Sequence, residues 1–289
     1  MEKIVCFGEI LWDSVPAGLF LGGAPFNAAC HLRKLGFRPM VVSAVGEDFL
    51  GEEALERAKA NGLDTFGITT HRSFRTGVAK VQLNADGSAR YLFPEPCAWD
   101  RLELTDAARN ELHQADAILF GSLATRSEPN EELLDNILSE TRALRIFDVN
   151  LRPPYDDRLA ILTLAQQADV LKLNSDELAY LSNLEFTPGN LEGALGAVAS
   201  YTGVKRICVT LGPDGAAYFD GHKLITANSP QVEVRDTIGA GDAFTAAFVA
   251  GLARDDDMED TLRHACQLGA YVASCDGAIP AYDPNQLFV

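Results

Sequence analysis

Short apolar runs ending near glycine alternate along this chain with segments of helical periodicity. That alternation is the strongest constraint on its fold. KIVCFGEI (Lys3–Ile10) and PMVVSAV (Pro39–Val45) read as buried strands. Between them, PFNAACHLRKLG, from Pro25, carries apolar residues at helical spacing, with Pro at its start and Gly at its end. The pattern recurs through ADAILFGS, a helical stretch reaching about Arg142, LRIFDVN, a further helix and DVLKLN; KRICVTLG follows another helical segment. Strands separated by helices predict an α/β fold whose sheet is largely parallel and covered on both faces.

Two segments break the rhythm. RTGVAKVQLNADGSARYLFPEP (Arg75–Pro96) alternates around Asn84-Ala85-Asp86-Gly87, a hairpin signal. ILWDSVPAGLFLGG, after Glu9, reads as extended. Together they predict a small accessory sheet, with segments near 11–22 and 74–98 forming a lid on a single domain spanning 1–289. No repeat, low-complexity tract or linker divides the chain.

The formal net charge of −17 argues against a nucleic-acid footprint, which needs a basic stripe, and against adsorption to an anionic membrane. An acidic protein that binds phosphates must use backbone amides, helix N-termini, a few cations and a metal ion. Six cysteines are scattered without a C-x-x-C pair, and no His lies near them at zinc spacing. With no signal-peptide h-region in MEKIVCFGEILWD and no apolar run long enough to span a bilayer, the expectation is a reduced, cytoplasmic setting.

Five stretches could carry chemistry. In DTIGAGDAFTAAFVAGLA (Asp236–Ala253), Gly239, Ala240 and Gly241 leave backbone amides uncovered, and Asp242 stands where a helix buried on all sides begins. The acid either caps that helix or acts chemically there. In LGGAPFNAA (Leu21–Ala29), Gly22-Gly23 is a turn before a helix, and Asn27 is a solvated first-turn residue or a grip for hydroxyls. FDVNLRP (Phe147–Pro153) places Asp148, Asn150 and Arg152 beyond a strand's carboxyl end, where ligands gather in open parallel sheets, unless they form only a polar loop. In KLNSDEL (Lys172–Leu178), Asn174 and Glu177 have the spacing of a capping box; Glu177 could also hold water on a magnesium ion. TLGPDG (Thr210–Gly215) is a turn offering open backbone at the sheet edge. P-loop, dinucleotide-binding and protein-kinase signatures are absent, and five scattered histidines form no triad. His31, within a helical stretch, reads as structural.

In this order, these stretches resemble the ribokinase-like (PfkB) family of sugar kinases over essentially the whole chain, from FGEILWD to CDGAIP. GG-x-P-x-N resembles the family's N-terminal signature and DTIGAGDAF its C-terminal one. The resemblance implies a Rossmann-like three-layer core with a small β-lid, using ATP and Mg2+ on a small sugar. It implies that Asp242 is the catalytic base, with amides of Gly239, Ala240 and Gly241 forming an anion hole. Asp13, Gly23 and Asn27 match sugar-binding positions, and Arg152 would approach the sugar or the phosphates. Asn174 and Glu177 match the N-x-x-E motif tied to phosphate and magnesium, while Thr210, Gly212 and Gly215 match the nucleotide-binding T-x-G-x-x-G. Asp236 lies where many members bind a monovalent cation such as K+, with Ile238 and Gly277 carbonyls as co-ligands. Members often dimerise through the lid, and a homodimer is compatible with this sequence.

GGAPFN, FDVNLRP and ILWDSVPAG resemble the fructokinase side of the family, which favours D-fructose phosphorylated at its primary 6-hydroxyl. 2-Keto-3-deoxygluconate, ribose and nucleosides remain alternatives. Phe93 and Trp99 are candidate apolar walls for the sugar. A non-catalytic binding protein on this fold would be expected to lose the base or the anion hole, and a nucleotide-using oxidoreductase would need the missing dinucleotide fingerprint.

Overall fold

The computed structural model describes residues 2–15, 18–83, 89–185 and 187–288. The chain opens with β1 (Lys3–Phe7), β2 (Leu11–Val15) and β3 (Gly18–Gly22), then α1 (Ala24–Lys34). Next come β4 (Arg38–Gly46), α2 (Phe49–Ala60), β5 (Ile68–His71), β6 (Gly77–Leu83) and β7 (Ala89–Leu92). The middle alternates α3 (Asp106–Leu112), β8 (Ala117–Gly121), α4 (Glu128–Glu140), β9 (Leu144–Asp148), α5 (Arg158–Ala165) and β10 (Val170–Asn174). After α6 (Ser175–Ser182), α7 (Leu191–Thr202) and β11 (Arg206–Thr210) come the short strands β12 (Ala216–Phe219) and β13 (Leu224–Ala227). The chain then forms α8 (Ala240–Arg254), α9 (Met258–Ala273) and α10 (Pro284–Leu287).

Among the described residues, the main sheet runs β13-β12-β11-β10-β9-β8-β1-β4-β5. It is parallel from β11 to β5; β12 and β13 add to one edge in antiparallel fashion. Successive strand residues point to opposite faces, and the apolar side chains divide accordingly. Val5 and Phe7 join a core with α3 to α7, through residues such as Leu112, Leu134 and Leu195. Ile4 and Cys6 join the opposite core with α1, α2, α8 and α9, through Leu32, Phe248 and Leu262. The result is three layers, helix on sheet on helix.

Helix α8 is enclosed along most of its length: every residue from Ala243 to Ala253 is buried. Its small side chains let α9 approach closely; a Cβ on Gly251 would lie 2.4 Å from Thr261 Oγ1. That enclosure holds the start of α8 still. All six cysteines are free and five are buried; burial pushes the thiols of Cys6 and Cys208 up, so they behave as small hydrophobes. His31 is fully buried, its ring nitrogens 2.9 Å from Tyr282 Oη and from the Ala278 carbonyl, and burial lowers its pKa to about 4. It is a neutral structural histidine. Among the described residues no helix is long and apolar enough to cross a membrane.

The second sheet runs β3-β2-β6-β7. Pairs β2–β3 and β6–β7 are antiparallel and β2–β6 is parallel. The turn expected at Asn84-Ala85-Asp86-Gly87 lies outside the described residues. Beyond β7 the chain returns to the core under a latch. Arg126 binds Asp100 through Nε (2.7 Å) and Nη2 (2.9 Å), and its guanidinium lies 3.8 Å from the Trp99 ring centroid. It also donates to the carbonyls of Phe93 and Pro94. Trp99, 1% exposed, is therefore core, packed where the strap docks. Arg126→Met is expected to cost about 3–5 kcal/mol in chemical denaturation, because it strands a buried carboxylate. Adding Asp100→Asn should recover most of that loss.

Candidate active site

The carboxyl ends of β1, β9, β10 and β11 open into one cavity of about 300 Å³. Its walls are built by local rules legible residue by residue. Gly23 caps α1 at φ 110°, and a Cβ there would sit 2.3 Å from the Glu9 carbonyl oxygen, so only glycine fits. The Ala24 amide donates to Glu9 Oε1 at 3.2 Å, tying the end of β1 to the start of α1. One turn on, Asn27 Nδ2 donates to Asp242 Oδ2 at 2.8 Å. The buried Asn27 Oδ1 has no partner among the described residues, so the site holds an unsatisfied acceptor.

Asp242 is the third residue of α8, whose N-cap is Gly239 at φ 78° with no side-chain cap. The acid therefore does not cap the helix; its carboxylate faces Asn27 and the cavity. Among the described residues the amides of Gly241 and Asp242 have no protein acceptor, whereas Ala240 N–H already donates to the Thr237 carbonyl at 3.2 Å. Of the amides expected to form an anion hole, that of Ala240 is thus engaged, and the one from Asp242 itself is available. Burial, reinforced by Asp148, raises the pKa of Asp242; Asn27, Lys172 and Arg152 oppose the rise.

Asp13, on β2, and Arg152, beyond β9, complete this end of the cavity. Burial lifts Asp13 to about 6 and Glu9 to about 7, even though Arg152 lies close enough to favour both ionised forms. The folded protein thus holds these two protons more tightly than the unfolded chain does. Their contribution to stability is fully present below the ordinary carboxylate range and is lost as pH rises through 6 and 7. The melting temperature of the unliganded protein should therefore fall between about pH 5 and 8. Glu9→Gln keeps an acceptor for Ala24 and should flatten that slope. It should also raise the melting temperature at pH 8 by a few degrees, as expected for relief of about 2 kcal/mol. A thermal-shift series across pH checks this.

At the other end, Asn174 and Glu177 form a reciprocal capping box at the start of α6, each side chain bonding the other's backbone N–H at 2.8 Å. Glu177 Oε1 also accepts from Leu151 N at 2.9 Å. The capping role is realised; each carboxylate oxygen keeps lone-pair capacity for a water. Thr210 closes this end and also lines a second, largely apolar cavity of about 380 Å³. Gly212, Gly215 and Ala240 line that second cavity, with Val232, Val234 and Phe244 among its apolar walls. Gly215, at φ 102°, admits no Cβ, since one would lie 1.9 Å from the Ala227 carbonyl oxygen. The two cavities meet at Thr210, Thr237 and Gly241.

Asp236 and Gly277 line neither cavity, although Ile238 lines the first. Asp236 Oδ1 accepts from Ile238 N at 2.9 Å, and Asp236 N donates to the Ala273 carbonyl at 3.3 Å, which ties this loop to the C-terminal end of α9. Among the described residues no cluster of three or more His, Cys, Asp or Glu side chains could hold a metal ion. Sequence reasoning assigned no role to Glu9, Lys172 and Thr237, which all line the first cavity; Phe93, a candidate wall for the sugar, lines it too. The signal for Lys172 was a cation inside the apolar strand VLKLN. It pairs with Asp148 at 3.1 Å, and Asp148 in turn accepts from Thr245 Oγ1 at 2.7 Å. Burial would lower the Lys172 pKa, but Asp148, Glu177 and Asp242 outweigh it and raise the pKa, so the side chain is cationic.

The family model for pfkB carbohydrate kinases matches residues 1–285. Fructokinase-1 of Oryza sativa subsp. japonica is 32% identical over 309 residues, 97% of this chain and 94% of the relative. Fructokinase-2 of Zea mays is 31% identical over 308 residues, covering 96% and 90%. A fructokinase of Xylella fastidiosa, solved with bound ATP, matches with a TM-score of 0.83 at 25% identity, over 99% of this chain and 97% of that one. A sugar kinase of Pyrococcus horikoshii matches with a TM-score of 0.85 at 26% identity, over 99% and 96%. With a buried carboxylate, uncovered helix amides and paired cavities assembled on this fold, the chain belongs to the pfkB family of carbohydrate kinases.

Proposed function

We propose that this kinase transfers the γ-phosphoryl group of MgATP to the primary 6-hydroxyl of D-fructose, giving fructose 6-phosphate and ADP. The observation that carries this reading is Asp242: a carboxylate at an uncapped helix N-terminus, inside a sugar-sized cavity that opens into a second, apolar one. The sugar hydroxyl attacks the γ-phosphorus and its proton passes to Asp242, which acts as general base. The N-terminus of α8 offers free amides and about half a positive charge to the group gaining negative charge. The adenine fits the apolar cavity at Thr210, Gly212 and Gly215, and the phosphates extend toward Gly241. Asn174 and Glu177 suit a magnesium ion held through water, as an ion that retains its hydration and uses few carboxylates prefers. When bound, Mg2+ neutralises charge on the phosphates. Asp236 with the carbonyls of Ile238 and Gly277 is the proposed monovalent-cation site, for K+. The small sheet with its strap acts as the lid, in one domain with the core, and is the proposed dimer surface.

Fructose is favoured over 2-keto-3-deoxygluconate because Glu9, Asp13 and Asp242 surround this end with acceptors against the single guanidinium of Arg152. Such a pocket suits a neutral polyol, whose hydroxyls donate, and repels a carboxylate. The relatives named fructokinase support the same choice. The test is ADP release from MgATP with D-fructose, D-ribose, 2-keto-3-deoxygluconate, adenosine and no sugar. The highest kcat/KM is expected with fructose; a preference for the sugar acid would overturn the acceptor argument.

A further inference from the structure

We propose that Lys172 is a catalytic residue that binds the phosphoryl group in flight, its ammonium donating to the non-bridging oxygens of the transferred phosphate. The proposal rests on the sugar-kinase reading above and adds a group to it.

Lys172 is 6% exposed, and a buried ammonium carries a heavy desolvation cost unless its charge is used. Asp148 accepts one of its three N–H groups; no other protein acceptor takes the remaining two among the described residues. The side chain lines the main cavity beside Asn174, Glu177 and Gly241. Its Nζ would be 3.8 Å from a Cβ on Gly241, so the charge stands next to the free amides of α8. The cavity's other cation, Arg152, lies toward Glu9 and Asp13 at the sugar end. Lys172 therefore brings a full positive charge to Gly241, where the two cavities meet.

In the transfer, a lone pair of the sugar oxygen forms the new P–O bond. The bond from the γ-phosphorus to the β,γ-bridging oxygen breaks, and its electron pair leaves on ADP. The hydroxyl proton goes to Asp242. Negative charge spread over the three equatorial oxygens needs donors fixed in advance. The Gly241 and Asp242 amides supply two, and Lys172 supplies a charged third. Asp148, held by Thr245 Oγ1, keeps the lysine in place.

The competing view makes Lys172 only a counter-ion to Asp148, and a charge-neutral double variant separates the two. Lys172→Met combined with Asp148→Asn removes both charges while an acceptor for Thr245 remains. Melting temperatures are measured with MgADP and fructose, with and without aluminium fluoride, alongside kcat. The wild type is expected to gain stability from aluminium fluoride, which mimics the phosphoryl group in transit. The double variant should lose that increment and roughly a hundred- to a thousandfold in kcat, with MgADP alone still stabilising it. Asp148→Asn alone, which keeps the lysine, should retain the increment. Recovery of turnover and of the increment in the double variant overturns the proposal, as does an equal loss in Asp148→Asn alone. A wild type that turns over no sugar contradicts the sugar-kinase reading instead, so the two failures are distinguishable.

Discussion

Asp242→Asn is expected to lower kcat roughly a hundred- to ten-thousandfold while leaving the fold and MgADP binding intact. The side chain is not the cap of α8, so its loss frees no helix amide. Asparagine keeps the shape and can still accept from Asn27 Nδ2, which now donates to Asp242 Oδ2. What disappears is the proton acceptor. Because burial raises the pKa of Asp242, the wild-type rate should also fall as pH drops through that raised value, as the base takes up a proton. The variant should lack this limb. Steady-state ADP release across pH, with melting curves in MgADP, gives both readouts. Turnover near the wild-type level would remove Asp242 from the chemistry.

Gly239→Ala is the second large effect, and its cause is space. Gly239 sits at φ 78°, and a Cβ there would lie 2.4 Å from Ala278 Cβ and 2.7 Å from its Cα. Backbone must move, and the backbone that moves carries the amides proposed to meet the phosphoryl group. A misplacement of about 1 Å at such a site costs about a hundredfold in rate. We expect that loss in kcat, with sugar affinity little changed, because Asp13, Gly23 and Asn27 belong to other elements. Gly36→Ala is the control. At φ 91° it carries the same left-handed strain, but a Cβ there meets nothing within 4 Å. It should lose about 1–2 kcal/mol of stability and no turnover. Equal kcat in both variants would separate the Gly239 loop from catalysis.

The three-layer core was legible because strands covered on both faces must be continuously apolar, as KIVCF and RICVT are. Asp242 was legible because small residues precede it and an entirely buried helix follows. The edge strands AAYF and LITA were not: four residues carry no periodicity that separates a strand from a loop. Phe93 and Trp99 are equivalent in sequence. Only the path of the strap under Arg126 puts one against the cavity and the other in the core. Lys172 looked like an interruption in a buried strand, and its meaning depends on Asp148, its register partner across β9 and β10. Glu9 fell inside a run read as a buried strand, and only the start of α1 against it gives the acid a place. The proposed cation site at the carbonyls of Ile238 and Gly277 would leave no side-chain signature at those two positions.

The most direct measurement is identification of the product. The protein is incubated with MgATP and D-fructose, and the mixture is followed by phosphorus and carbon NMR. ADP and fructose 6-phosphate are expected in equal amounts, the phosphate attached at the primary carbon. ATP left intact, or hydrolysed to ADP and free phosphate with no phosphorylated sugar, would contradict it.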